Sequence, residues 1–269
     1  MLEYYLNKKY DENELKNIRE KYLNNLPFPN IMFKNFFNEN FINDVANGFP
    51  DLKKKSSYKK DDLNVQNFFA FKEIHKSPEI IKNFLYFLNS YEFLNFLQKI
   101  TGIKETLISD PYFYGSGLHQ YYNGGYLKIH ADYHSHPKLK LDRRLNLLIY
   151  LNKNWKEEYG GAIELWDKNM ESCGVKVYPN INNVCIFSTD DKSFHGFPEP
   201  MNCPENVSRN SIAIYYYTNG RVNSDKMSAI KNTTHWKKRN NSEIVENNYN
   251  IYDYLKNFKI LRKLKKIIF

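Results

Sequence analysis

Apolar and polar positions repeat along this chain with two different periods. Over the first hundred residues the spacing is helical. Asp11 to Leu23 and Asn38 to Asn47 each carry apolar residues three and four apart behind a polar start, and Pro50 stops the second run. Pro78 to Ile100 is a longer helical region, and its apolar faces need a larger surface to pack on. From about Asp110 the pattern shortens. Eight runs rich in Val, Ile, Leu and Tyr follow: GLHQYY, YLKIHADY, RLNLLIYLN, AIELWD, GVKVYP, NVCIFST, FHGFP and SIAIYYYT. Turn signals separate them, including Asn123-Gly124-Gly125 and Gly160-Gly161. Eight short strands at close spacing predict a barrel or two-sheet jelly roll. Helices ahead of strands predict an α+β arrangement in which helices brace one sheet. The expected organisation is a helical support region over 1–109, a β core over 110–218, and an Asn-rich segment with a basic helix over 219–269.

At 269 residues the chain is long enough to bury a core without a disulfide or metal staple, and one barrel with helical additions accounts for it. Apolar residues at 42% and charged residues at 26% are ordinary globular composition and exclude wholesale disorder. The net charge of +9 is unevenly placed. Lys256 to Phe269 hold six basic residues and no acid, and the rest has 33 basic against 30 acidic residues. A nucleic-acid binder carries its excess charge on the folded body, so no nucleic-acid partner is expected. Cys173, Cys185 and Cys203 form no C-x-x-C and read as small apolar fillers. The amino terminus lacks the apolar core of a signal peptide, and no run of about 18 apolar residues occurs, so a cytoplasmic protein is expected. In the terminal stretch Ile251, Tyr254, Leu255, Phe258, Leu261, Leu264 and Ile268 recur at helical spacing, with lysines and Arg262 largely between them. Such a stripe packs on the barrel or on a second subunit, as in a homodimer; the competing reading is a helix lying on an anionic membrane surface.

Four of the seven histidines lie between positions 119 and 136. His130 and Asp132 are two apart on a predicted strand and so leave from one face, and His195 opens another predicted strand 65 residues later. Two imidazoles and a carboxylate on one barrel face hold a metal while leaving three adjacent positions open, as in the facial triad of non-haem Fe(II) oxygenases; tetrahedral Zn(II) accepts the same donors. Arg209-Asn210-Ser211 then starts the strand SIAIYYYT, with Arg209 and Ser211 on one face. A guanidinium and a hydroxyl beneath a metal site form a clamp for a carboxylate, which an enzyme binding a dicarboxylate keto acid needs and a zinc hydrolase does not.

The stretches QYYNGGYLKIHAD, RRLNLLIYLNKNW, EEYGGAIELWD, NVCIFST with SFHGFPEP, and SRNSIAIYYYT resemble the prolyl 4-hydroxylase-like branch of the 2-oxoglutarate/Fe(II)-dependent dioxygenases. The resemblance covers about residues 110–218. LPFPNIMFKNFFNENFINDVANGFP also looks like the segment ahead of the core in many members. It implies a double-stranded β-helix, a jelly-roll or cupin-like barrel, braced by the N-terminal helices. It implies His130, Asp132 and His195 as the iron ligands and Arg209 as the partner of the distal carboxylate of 2-oxoglutarate. Tyr150 matches a position that also reaches that carboxylate, against the reading of a core aromatic. Tyr121, or its neighbour Tyr122, matches a further cosubstrate-side tyrosine. The implied reaction consumes O2 and 2-oxoglutarate, releases succinate and CO2, and hydroxylates a substrate C–H, with ascorbate as a helper. Asp132 argues for hydroxylation, because related halogenases leave that ligand position small. Where collagen-type enzymes place Lys, this chain has Arg-x-Ser, which weakens direct transfer of prolyl specificity.

The substrate stays open between peptidyl proline, an amino acid and a glycan-related molecule. The loops HSHPKLKLD and 167–174 and the region after 220 are the candidate specificity segments. Ile163 reads as pocket wall, His119 as a structural histidine on the strand of Tyr121, and His134 and His136 as loop residues beside the metal. Two other functions remain open at this level: a catalytically idle 2-oxoglutarate-binding module, and a zinc-dependent hydrolase on a similar barrel.

Overall fold

Helices form where end signals and apolar spacing coincide. The computed structural model describes residues 2–221 and 232–247, so the basic terminal stretch Lys256–Phe269 lies outside the described residues. Helices α1 (Leu2–Tyr5) and α2 (Glu12–Asn24) open the chain. The Asp11 carboxylate accepts from the Glu14 amide, and the Glu14 carboxylate accepts from the Asp11 amide, which satisfies two end donors of α2 at once. The Asn38 side chain caps α3 (Glu39–Asn47) by accepting from the Phe41 amide, and α4 (Leu52–Lys55) is a single turn. The helical run over 78–100 is two helices, α5 (Glu79–Leu88) and α6 (Tyr91–Thr101). Asn89 and Ser90 divide them. The Ser90 hydroxyl accepts from the Phe93 amide, so the polar pair caps a new helix and does not prolong the old one.

Three strands lie inside the segment expected to be helical: β1 (Asn30–Phe33), β2 (Tyr58–Lys60) and β3 (Val65–Phe71). β1 and β2 are too short to show a period of their own, and β3 is interrupted by an irregularity between Gln66 and Phe68. β2 forms a local hairpin with β3, and β1 and β3 are strands because distant partners pair with them. The partners belong to the second half of the chain: β4 (Gly117–Ala131), β5 (Asp142–Tyr150), β6 (Ile163–Trp166), β7 (Cys173–Val177), β8 (Val184–Ser188), β9 (Phe194–Phe197), β10 (Arg209–Thr218) and β11 (His235–Trp236). β1 pairs with β8 and β3 with β4, so residues 1–109 and the core share one sheet.

The order β1-β8-β5-β10-β4-β9-β6-β7, with every ladder antiparallel, makes a nearly closed barrel of the double-stranded β-helix kind. β4 serves both of its sheets, since 117–121 pairs with β10 and the His130 end pairs with β9. Asn123-Gly124-Gly125 is therefore a bend within one strand, not a turn between two. The Met201 backbone holds it, accepting from Gly124 at 2.8 Å and donating to Gly125 at 3.0 Å.

Strand alternation sorts the two faces. Leu145, Leu147, Ile149, Val184, Ile186, Ile212 and Ile214 join one core cluster with Phe84, Leu88 and Phe93 of the helices. Asn146, Leu148, Tyr150, Arg209, Ser211, Ala213 and Tyr215 line an interior cavity. Both faces are covered, which is why these strands look almost continuously apolar in sequence. Among the described residues no helix is long and apolar enough to cross a membrane.

Candidate active site

His130 and His195 are directly opposed partners on β4 and β9, and Asp132 follows one residue beyond the end of β4. Their imidazole rings are 4.5 Å apart between centroids. The Asp132 carboxylate lies 3.6 Å from His130 Nε2 and 3.3 Å from His195 Nε2, and one ligand atom of each residue lies within 4.8 Å of the others. Each ring donates Nδ1–H to a backbone carbonyl two residues earlier, Lys128 O for His130 and Ser193 O for His195, both at 2.8 Å. That bond ties Nδ1 to the backbone and leaves Nε2 as the ring nitrogen facing the carboxylate.

The protonation states suit a cation. Burial pushes the His130 pKa down, and the neighbouring His195 adds to the effect, so His130 is neutral. For Asp132 burial alone would raise the pKa. The Arg143 guanidinium and the two histidines outweigh it and hold the carboxyl well below its usual range. Arg143 Nη2 lies 2.8 Å from Asp132 Oδ2, and Asn146 Nδ2 donates to the same oxygen at 2.8 Å. Asn146 Oδ1 in turn accepts from Arg143 Nε and Nη2 at 3.0 and 2.8 Å. Two imidazoles and one ionised, oriented carboxylate converge on a gap between them. This is the donor set and the bonding behind it that a ferrous ion takes, with the three residues as its ligands.

The triad opens into a cavity of about 420 Å3. Arg209 and Ser211, two apart on β10, both line it. Arg209 is 3% exposed. Its Nε donates to Gly161 O at 2.7 Å and its Nη2 to the Tyr150 hydroxyl at 3.3 Å, while its guanidinium carbon lies 4.3 Å from the Phe197 ring centroid. Gly161 belongs to the Gly-Gly pair expected to be a turn. A Cβ there would lie 2.7 Å from Met201 Sδ and 3.2 Å from Arg209 Cδ, so the glycine is what lets the arginine seat. Tyr150 faces Ser211 across the β5–β10 ladder. Of the two neighbouring tyrosines, Tyr121 lines the cavity, whereas Tyr122 donates its hydroxyl to Asp51 and Gln120 outside it. Burial pushes the hydroxyl pKa values of Tyr121 and Tyr150 up, so both are neutral donors.

Ile163 and His119 also line the cavity, and burial, with Arg209 nearby, pushes the His119 pKa down to about 3. His136 is fully buried and does not line the cavity, with Nε2 3.2 Å from Asp110 and Nδ1 accepting from the Lys138 and Leu139 amides. It locks two loops together. Cys185 and Cys203 are buried as fillers, whereas Cys173 is exposed.

Sequence reasoning missed Arg143, Asn146 and Trp236. Arg143 has the parity of Leu145 and Leu147, which face the helices. A bulge at Arg144, where the register with β10 slips between Tyr216 and Tyr217, turns Arg143 back to the cavity. No one-dimensional signal marks that slip. Trp236 sits in a polar segment and forms only a two-residue strand.

Residues 116–217 match the model of the 2OG-Fe(II) oxygenase superfamily. The chain thus has a 2OG-Fe(II) oxygenase, prolyl-hydroxylase-like fold with an intact His-Asp-His triad, an architecture consistent with Fe(II)/2-oxoglutarate-dependent dioxygenase chemistry. Among solved structures it is similar to a Pseudomonas putida prolyl-4-hydroxylase at 14% identity and a TM-score of 0.52, over 76% of this chain and 98% of that one. A prolyl hydroxylase from Trichoplax adhaerens, solved with a hypoxia inducible factor peptide, matches at 17% and 0.55 over 77% and 90%. Prolyl 4-hydroxylases from Phytophthora capsici match at 17% and 0.54 over 96% and 78%. At these identities the likeness is one of fold.

Proposed function

We propose that this protein hydroxylates an unactivated C–H bond of a peptidyl, amino-acid or glycan-related substrate. His130, Asp132 and His195 are the ligands of Fe(II), and Arg209 is the anchor for the distal carboxylate of 2-oxoglutarate. The observation that carries the reading is the placement of a facial triad and a buried arginine in one cavity. Among the described residues no acidic side chain pairs with Arg209; its bonds go to a carbonyl and a phenol. A guanidinium so placed favours a carboxylate. Tyr150 shares the arginine's contact and extends the anchor, and Ser211 offers a hydroxyl beside it. Tyr121 supports the same subsite by bounding it.

With both bound, the centre supplies oxidative decarboxylation of the keto acid coupled to hydroxylation of the substrate. The protein's part is to orient and to exclude water. Asp132 is fixed by Arg143 and Asn146, and the cosubstrate end of the cavity is walled by Ile163, Phe197 and Tyr150. Tyr58, Tyr112 and Trp236 also line the cavity, and Arg143 Nη1 is a buried donor with no hydrogen-bond partner. These groups favour a substrate with a flat or cyclic apolar surface next to an acceptor oxygen.

The test is succinate release from 2-oxoglutarate with Fe(II). Release is expected from the wild-type protein and not from Asp132→Ala. Arg209→Lys is expected to raise the 2-oxoglutarate concentration for half-maximal release roughly tenfold or more. A point ammonium cannot replace the two-pronged contact, and a lost charge-assisted bond costs about 1.5–3 kcal/mol. Tight 2-oxoglutarate binding without succinate would identify an idle module, and indifference to 2-oxoglutarate a hydrolase.

A further inference from the structure

The segment 232–247 follows the oxygenase domain, yet its described residues bear on the metal ligand His130 from several sides. β11 pairs with the end of β4, with Trp236 opposite His130 and His235 opposite Ala131, and the Lys237 amide donates to Ile129 O at 2.8 Å. His130 therefore lies on a strand paired on both edges, with β9 on one side and β11 on the other. The Trp236 ring centroid is 4.8 Å from that of His130, and Trp236 also lines the substrate cavity. Lys60 Nζ lies 5.3 Å from the indole centroid, and Asn247 brackets the Trp236 backbone, accepting from its amide at 2.8 Å and donating to its carbonyl at 3.1 Å.

The rest of the segment grips Lys128, the residue whose carbonyl bonds to His130 Nδ1. The buried Glu243 carboxylate lies 2.9 Å from Lys128 Nζ and accepts from the Arg239 amide at 2.7 Å. The Lys128 amide donates to Asn64 O, and the Asn64 side chain makes a reciprocal pair of bonds with the Glu246 backbone at 2.7 and 3.0 Å. Backbone pairing, a ring contact and a buried ion pair converge on four residues of β4, Lys128 to Ala131. A surface tail has no need of that.

We propose that 232–247 is a strap built into the metal site, and that Trp236 is a positioning residue holding the His130 imidazole in place while walling the substrate cavity. The inference rests on the triad as the Fe(II) site. Groups that orient a ligating histidine typically contribute 10- to 100-fold to metal affinity.

The test titrates Co(II) alone into the full chain, with affinity and ligand geometry read from visible absorption. Trp236→Ala should weaken Co(II) binding about tenfold and shift the spectrum, and Trp236→Phe, which keeps a ring against His130, should restore both. Glu243→Gln, which loosens the strap from Lys128 but keeps the indole, should also weaken binding. Wild-type affinity and spectrum in Trp236→Ala would overturn the proposal, as would a Trp236→Phe protein that melts normally but binds no better than Trp236→Ala. If Trp236→Ala does not fold, Glu243→Gln decides, and wild-type affinity there overturns the strap. Asp132→Ala separates the two levels: wild-type Co(II) binding in that variant removes the triad, whereas loss there with retention in Trp236→Ala removes only the strap.

Discussion

Arg143 shows how a single residue can be invisible in sequence and central in structure. It is fully buried, sandwiched with its guanidinium carbon 4.6 Å from the Tyr133 ring centroid and 3.4 Å from that of Tyr215, and bonded to Asp132. A charge there is tolerable because Asp132 and two aromatic faces replace water. His119 is the opposite case, a histidine kept neutral by its surroundings, with a pKa near 3 in the fold. Its depressed pKa gives a signed prediction. Above the unfolded pKa of about 6.5 neither state binds the proton, and the full stability is present. As pH falls below that value only the unfolded chain takes up the proton, so stability is lost progressively down toward the folded value near 3. Denaturant melts of metal-free protein between pH 7 and 5 should show the loss. His119→Asn should flatten the slope by up to about 1.4 kcal/mol per pH unit. An identical slope in the variant would mean that His119 is solvated.

At the scale of elements, the metal site depends on how closely β4 and β9 approach. Gly196, next to His195, has backbone oxygens of Leu127 and Lys128 at 2.7 and 2.8 Å from where a Cβ would stand. Gly196→Ala must push the two strands apart where His130 and His195 face each other. A loss of about 1–3 kcal/mol in stability is expected from such overpacking, together with weaker Co(II) binding. Calorimetric melts and metal titration check both, and unchanged values would mean that the strands give way freely. Much at this level was legible. His130, Asp132, His195, Arg209 and Ser211 fall where alternation along short strands put them, because period two survives inside a barrel whose faces are both covered. What was not legible depends on pairing. β3 is a strand because β4 is beside it, Asn123-Gly124-Gly125 bends within a strand because both sheets share β4, and Arg143 turns inward because β5 carries a bulge.

For the whole molecule, the helices are a platform that keeps the outer sheet dry. Phe84 is fully buried and meets Tyr5, Phe37, Phe41 and Phe87 in one aromatic cluster beneath β5 and β10. Phe84→Ala should cost about 3–5 kcal/mol in thermal or denaturant stability. The folded fraction should still bind Co(II) as the wild type does, because the cluster lies on the far face of the sheet from the cavity. A tenfold loss of metal affinity in that variant would show instead that helix packing reaches the triad. By itself the sequence determined most of the helices, the strands of the core, and the placement of the triad and Arg209 on strand faces, since each depends on residue type and local period. Tertiary structure alone decided that residues 1–109 share the core's sheet, that Arg143 and Asn146 hold Asp132, and that 232–247 closes over His130. Those features arise from contacts between segments that can be more than 150 residues apart, and a local pattern carries no record of which distant strand lies beside it.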